Sequence, residues 1–273
     1  TFSHAKGYAR YNLAGYFPNT IKRIVIMSDD DCAGKKWEIK DKSGKSVLSG
    51  TVEKSLIGKG DHTPMDFNHE IDFSSLTTVG TFTFKIEGIK AFKIKIKKNP
   101  YKSIIQSNLR WLRVTRSGSK DCLDHKPAHF GDTASYIYRR KGKENTDEWE
   151  EDPNGKKVNM LGGWYDGFVY TKFTLTTALT TYSLLRAYEI NPSVFGKKYS
   201  KTDLIDILDE AKWGLDYLLK TMPDDNEFII QMGGFADNER GTLLPHEDPR
   251  DGKRECYSIF SPNQMGNAAA ALA

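Results

Sequence analysis

Long apolar runs are missing from this sequence of 273 residues. No stretch approaches the roughly 18 to 20 consecutive apolar residues that a membrane helix needs, so no membrane span is expected. Cysteine is scarce: Cys32, Cys122 and Cys256 are the three present. Odd in number and widely spaced, they form neither a disulfide framework nor a C-x-x-C metal signature. A dominant charge is lacking too. Forty Lys and Arg stand against 36 Asp and Glu, a net charge of +4, with the two signs interspersed. That is too mild for an electrostatic nucleic-acid footprint, and no nucleic-acid partner is expected. The densest basic cluster, Lys93, Lys95, Lys97 and Lys98, alternates with Phe92, Ile94 and Ile96. A period of two is that of a half-buried strand with a wetted outer face, where lysines guard against edge pairing.

What is present suffices for real cores: 38% hydrophobic and 12% aromatic residues. The length favours two domains, and the hydrophobic period divides the chain near residue 100. Before it, Ile21 to Met27, Trp37 to Ile39, Ser46 to Val52, Thr81 to Ile86 and Ala91 to Ile96 are short β-branched or alternating runs. Turn material such as Asp41-Lys-Ser-Gly44 and Glu87-Gly88 separates them, so residues 1–100 are expected to form an all-β sandwich. After Asn99-Pro100 the period becomes helical. Ile105, Leu109 and Leu112 recur at that spacing, as do Leu175, Leu179, Tyr182 and Leu185, and again Leu204, Ile207, Leu208, Ala211, Leu215 and Leu218. Prolines predict helix ends before Asn191-Pro192 and before Pro223. A fourth helix is expected from near Asn263. Ser117 to Met160, polar and charge-rich with hardly an apolar residue over Arg140 to Asp152, reads as a long functional or disordered loop.

At the end of that loop stands Gly162-Gly-Trp-Tyr-Asp-Gly-Phe-Val-Tyr-Thr-Lys-Phe173. The segment resembles the G-G-W-Y-D-A-G-D-Y-G-K-Y signature of glycoside hydrolase family 9, matching it at Gly162, Gly163, Trp164, Tyr165, Asp166, Tyr170 and Lys172. The resemblance extends over nearly the whole chain. Gly15-Tyr-Phe-Pro18, Lys22-Arg-Ile-Val-Ile26, Asp72-Phe-Ser74 and Gly80-Thr-Phe-Thr-Phe84 are similar to the immunoglobulin-like domain that precedes the barrel in one branch. Ile205-Asp-Ile-Leu-Asp-Glu-Ala-Lys-Trp213 resembles the family's D-I-L-D-E-A-R-W helix, and Ser261-Pro262 with Ala268 to Ala273 its alanine-rich segment.

The resemblance implies an immunoglobulin-like sandwich over 1–100 and, over 101–273, the first part of an (α/α)6 barrel that stops before closure. The remaining half would be supplied as further chain. It also implies a secreted or cell-surface protein whose partner is a β-1,4-glucan, hydrolysed with inversion. There one carboxylate activates water while a carboxylic acid roughly 6.5 to 9.5 Å away protonates the leaving oxygen. Carried over, Asp166 matches the first aspartate of D-A-G-D, but the base position is Val169, and a valine accepts no proton. The acid glutamate is not matched within the chain. Trp164, Tyr165 and Tyr170 either form a stacking floor for sugar rings or plug the barrel's inner layer, and Trp213 reads as core. No cofactor is assigned. Calcium and zinc occur in the family, but Arg116-Ser-Gly118 and Ala128-His129 stand where two zinc-binding thiolates would be, leaving Cys122, His125 and His129 short of the four ligands of a closed site. Two other readings stay open: a catalytically inactive polysaccharide-binding or structural surface protein, and an immunoglobulin-like interaction module.

Overall fold

The structure is a computed structural model that describes residues 7–56, 58–59, 63–141, 148–167, 169–238, 243–252 and 254–273. It falls into two compact units, Thr1–Ile104 and Ile105–Ala273.

The first unit is a β-sandwich. Its strands are β1 (Gly7–Arg10), β2 (Arg23–Ser28), β3 (Lys36–Lys40), β4 (Ser46–Thr51), β5 (Phe67–Asp72), β6 (Gly80–Ile86) and β7 (Ile89–Ile96). One antiparallel sheet has the order β1-β2-β5, the other β4-β3-β6-β7. Alternation decides which side chains go inside. Ile24 and Ile26 of β2, Trp37 and Ile39 of β3, Phe82, Phe84 and Ile86 of β6, and Ile94 and Ile96 of β7 form one buried cluster. Through it runs an aromatic stack from Trp37 over Phe84 to Phe92 and Tyr11, with ring centroids 5.7, 5.0 and 4.5 Å apart. Each large side chain so buried is worth about 1.5 to 3 kcal/mol before entropy. The β3–β4 turn is tied by the Asp41 carboxylate, which accepts from Ser43 N–H (2.9 Å) and Lys45 N–H (3.1 Å). Gly44 there takes φ 87°, a left-handed conformation that glycine adopts without strain.

β1 and β5 had no strand signal. In β5, Asn68 and His69 occupy buried positions because their side chains satisfy neighbouring backbone. His69 Nε2 accepts from Cys32 N–H at 3.1 Å, and its Nδ1 faces Glu53 O at 2.9 Å. A polar side chain buried against backbone from elsewhere in the sandwich hides the alternation that marks a strand.

The second unit is helical, with one small sheet. The helices are α1 (Lys102–Val114), α2 (Thr174–Ile190), α3 (Asp206–Leu218), the single turn α4 (Phe235–Asn238) and α5 (Pro262–Leu272). The four long ones lie where the apolar period puts them, and α2 ends at the residue before Asn191-Pro192. α2 packs against α3 and α5. Ala178, Ala268 and Ala271 are the small residues of the seam, which let the helices approach closely, and Leu218 and Phe228 fill the space beside them. This is the first part of the barrel, not a closed ring.

The polar segment Ser117 to Met160 is not all loop. It contains β8 (Ser135–Arg140), β9 (Trp149–Glu151) and β10 (Lys157–Val158); residues 142–147 of it lie outside the described set. With β11 (Lys172–Phe173), β12 (Ile229–Met232) and β13 (Glu255–Ser258) they make a sheet of order β10-β8-β13-β12-β11, β9 pairing with β8. β8 and β13 run parallel, Tyr136 opposite Glu255. Strands this short pack one or two side chains each, and the central pair β8 and β13 joins segments more than a hundred residues apart, so no local period announces them. Ile137, Met160, Tyr217, Ile229, Met232 and Cys256 close the core over this sheet.

Candidate functional site

The Gly162–Phe173 segment is fixed from behind. Gly162 and Gly163 take φ 109° and 72°. A Cβ on Gly163 would stand 3.0 Å from the Tyr217 ring, so glycine answers both a backbone and a space requirement. Lys172, fully buried, donates to Gly162 O (2.9 Å), Met160 O (2.7 Å) and the Asp132 carboxylate (2.8 Å), which satisfies all three ammonium hydrogens. Burial pulls its pKa down to about 8 against the attraction of Asp132. Arg254 shares Asp132 at 3.2 Å. Trp213 Nε1 donates to Gly163 O at 2.8 Å, while the Arg116 guanidinium lies 4.6 Å over the Trp213 ring.

A second buried charge cluster lies beside the first. Glu210 accepts from Arg113 Nε (2.7 Å), Arg116 Nε (2.9 Å) and Trp164 Nε1 (3.3 Å). Asp209 bonds Arg113 and accepts from Arg116 Nη2 at 3.1 Å, and Asp121 accepts from Arg113 Nη1 at 2.6 Å. Trp164 is thereby oriented by a carboxylate and buried.

Tyr165 and Tyr170 are buried too, but they face a cleft. Tyr165 Oη meets His129 Nδ1 at 2.5 Å, and His129 Nε2 meets the Asp248 carboxylate at 2.9 Å. Burial pushes the Tyr165 phenol pKa up, so it stays a neutral hydroxyl. Burial also pushes Asp248 upward, but its bonds from His129 and from Arg250 N–H outweigh this and leave it below the usual carboxylate range. His129, Tyr165 and Tyr170 pack edge-on or tilted, with centroids 5.3 to 5.6 Å apart. His129 itself takes φ 57°, uncommon for a residue with a Cβ, held by Asp251 accepting from its N–H at 2.9 Å.

The cleft has a volume of about 300 Å³ and is lined by Val114, Thr115, Asp124, His125, Tyr165, Gly167, Val169, Tyr170, Leu243, Leu244 and Pro245. Its wall is mostly apolar. The carboxylate among the lining side chains is Asp124, which pairs with Arg110. Asp166 is exposed, on a turn in which Val169 N–H donates to its carbonyl at 3.3 Å and its own N–H donates to Thr171 O at 2.9 Å. Of the residues singled out from sequence, Tyr165 and Tyr170 therefore line the cleft together with Val169, Asp166 stands exposed between two lining residues, and Trp164 lies behind the wall. Sequence reading missed His129 as the partner of Tyr165, and Asp248 and Glu210 as the groups that orient the aromatics.

The residues present do not fit a structural zinc. Both ring nitrogens of His125 face carbonyls, Lys126 O at 2.7 Å and Val114 O at 2.8 Å. Cys122 donates its thiol to His125 O, and His129 is taken by Tyr165 and Asp248. Among the described residues no group of three or more His, Cys, Asp or Glu side chains is placed to hold a metal ion.

Comparison with known proteins accounts for both units. Residues 6–91 match the family model described as cellulase N-terminal ig-like domain, and residues 101–273 match that of glycosyl hydrolase family 9. The chain is 24% identical over 266 residues to an endoglucanase C of Cellulomonas fimi, covering 88% of this chain and 24% of that protein. It is 26% identical over 281 residues to a cellulose 1,4-beta-cellobiosidase of Acetivibrio thermocellus, covering 88% and 30%. The chain thus spans less than a third of the length of these two relatives. In fold it is similar to a metagenome-derived family 9 endoglucanase, with a TM-score of 0.71, 23% identity, and coverage of 97% of this chain and 53% of that one. With more than half its length matched by the catalytic-domain model and most of the remainder by the immunoglobulin-like one, the chain belongs to glycosyl hydrolase family 9.

Proposed function

We propose that this chain is the front portion of a secreted or cell-surface β-1,4-glucan-processing protein, whose sugar site lies in the cleft floored by Tyr165 and Tyr170. What carries the reading is that the one segment matching the family's signature, Gly162–Phe173, supplies Tyr165, Gly167, Val169 and Tyr170 to a single concave wall. Neutral phenols and an apolar wall suit the faces of pyranose rings, with hydroxyl groups bonding at the rim. Inverting hydrolysis in the completed barrel would need a base opposite the acid. Val169 stands where the family places that base, and general-base catalysis is worth about 10² to 10⁴ in rate. Asp166 is the carboxylate closest to it in sequence and is free to reach solvent.

A second reading is favoured by the same valine: an inactive relative kept for polysaccharide binding. The two separate in one pair of assays on a chain carrying the complete barrel. Reducing-sugar release from a soluble cellulose derivative supports hydrolysis. Retarded migration in β-glucan gels without release supports binding alone. Neither release nor retardation would sink both.

A further inference from the structure

The charge of this chain is not evenly divided. The first 104 residues hold 18 Lys and Arg against 11 Asp and Glu, a balance of +7, which leaves 22 against 25, a balance of −3, for the rest. Much of the excess lies on one surface. In the sheet β4-β3-β6-β7, the inward positions Trp37, Ile39, Phe82, Phe84, Ile86, Ile94 and Ile96 alternate with outward ones. The register sets the outward residues in rows: Thr81 beside Lys95; Lys40 beside Thr83 beside Lys93; Ser49 beside Glu38 beside Lys85; and Thr51 beside Lys36.

On that grid Lys95, Lys93, Lys85 and Lys36 form a diagonal track across three strands. Strand rise and spacing put successive members roughly 7 to 8 Å apart. All four are exposed, and among the described residues none of them has a carboxylate partner within ion-pair distance. The acid in the middle of the face, Glu38, is neutralised by Lys40 at 2.8 Å. At the β3 end the track opens into a groove of about 380 Å³ lined by Lys36, Trp37, Glu38, Ser49, Lys85 and Glu87. Hydroxyls of Thr81, Thr83 and Ser49 flank the ammonium groups.

We propose that this sheet face binds an anionic polysaccharide whose units carry carboxylates. An extended polymer with regularly spaced charge complements a flat, regularly spaced row of point cations, and the interleaved hydroxyls match sugar hydroxyls. Nucleic acid is a poorer occupant: the outward rows carry no aromatic side chain for base stacking and no guanidinium fork for phosphate. A lipid surface is poorer too, since these rows present no apolar side chain to insert. The site is built from residues of the first unit alone and does not rest on the hydrolytic reading.

The test is titration calorimetry of the 273-residue chain with polygalacturonate, in about 20 mM and about 300 mM NaCl, between which the screening length falls about fourfold. Lys93→Glu/Lys95→Glu is compared with Lys120→Glu/Lys197→Glu, an equal charge change at exposed lysines of the second unit. Expected are binding at low salt that high salt weakens, at least a tenfold loss in the first variant, and affinity within about threefold of the parent in the second. Neutral hydroxyethylcellulose, titrated in parallel, should respond to neither variant. Four results would overturn the assignment: no binding at low salt, equal losses in the two variants, loss of hydroxyethylcellulose binding in the first, or RNA or phosphatidylserine vesicles binding as tightly as polygalacturonate.

Discussion

Glu210 is the point at which the second unit is most exposed to a single change. Its side chain is 1% accessible and accepts charged hydrogen bonds from two guanidinium groups that are themselves 1% and 6% accessible. Replacing it by alanine leaves both Nε–H groups without that acceptor and frees Trp164 Nε1 as well. Asp209 and Asp121 still neutralise part of the charge. Breaking one side of a buried ion pair costs about 3 to 5 kcal/mol, because the penalty is that of the charge left behind. With a urea dependence of roughly 2 kcal/mol per molar, the midpoint of the second unit should fall by about 1.5 to 2.5 M. Tryptophan fluorescence follows this unit selectively, since Trp111, Trp149, Trp164 and Trp213 belong to it and Trp37 alone to the other. Arg116→Met in the Glu210→Ala background should cost much less than in the parent, because its main partner is already gone. A midpoint shift below about 0.5 M, or additive effects in the cycle, would refute the view that this cluster holds the aromatic segment in place.

Other consequences are as direct. Gly163→Ala adds a Cβ 3.0 Å from the Tyr217 ring at a φ of 72° and should lower stability by about 1 to 3 kcal/mol by urea unfolding; an unchanged midpoint would mean the loop relaxes freely. Phe84→Ala removes the centre of the sandwich's aromatic stack and should cost about 3 to 5 kcal/mol in the first unit's own transition, leaving the tryptophan signal of the second unaltered. Asp248 has a folded-state pKa below its ordinary 3.8, so its contribution is fully present above that pH and is lost as pH falls through the lower folded value. Asp248→Asn should therefore flatten the decline of stability below about pH 4, and a decline as steep as the parent's would show that other groups govern it.

How much of this was legible depended on the distance over which each feature is written. The helices were readable because Leu204, Ile207, Leu208, Ala211, Leu215 and Leu218 carry their own period, and the sandwich strands because Ile94 and Ile96 alternate with Lys93 and Lys95. β8 and β13 were not, since what makes Tyr136 to Arg139 a strand is Glu255 to Ser258 alongside. Site residues divided in the same way. Gly162 to Phe173 is a contiguous signature and drew notice at once. Glu210 reads as an ordinary acid near a helix start, and only folding shows its partners to be Arg113 and Arg116, some 97 and 94 residues earlier. His129 figured in the sequence only within an incomplete set of zinc ligands, because nothing local indicates that its ring lies between Tyr165 and Asp248.

The central claim is that Tyr165, Val169 and Tyr170 wall a sugar cleft in which position 169 is the family's base position. The most direct measurement is reducing-sugar release from a soluble cellulose derivative by a chain carrying the complete barrel, with and without Val169→Asp. Restoring a base there should raise the rate by about 10² to 10⁴. An unchanged rate, with the variant folded and still retained by β-glucan, would contradict the placement of Val169 at the reacting centre.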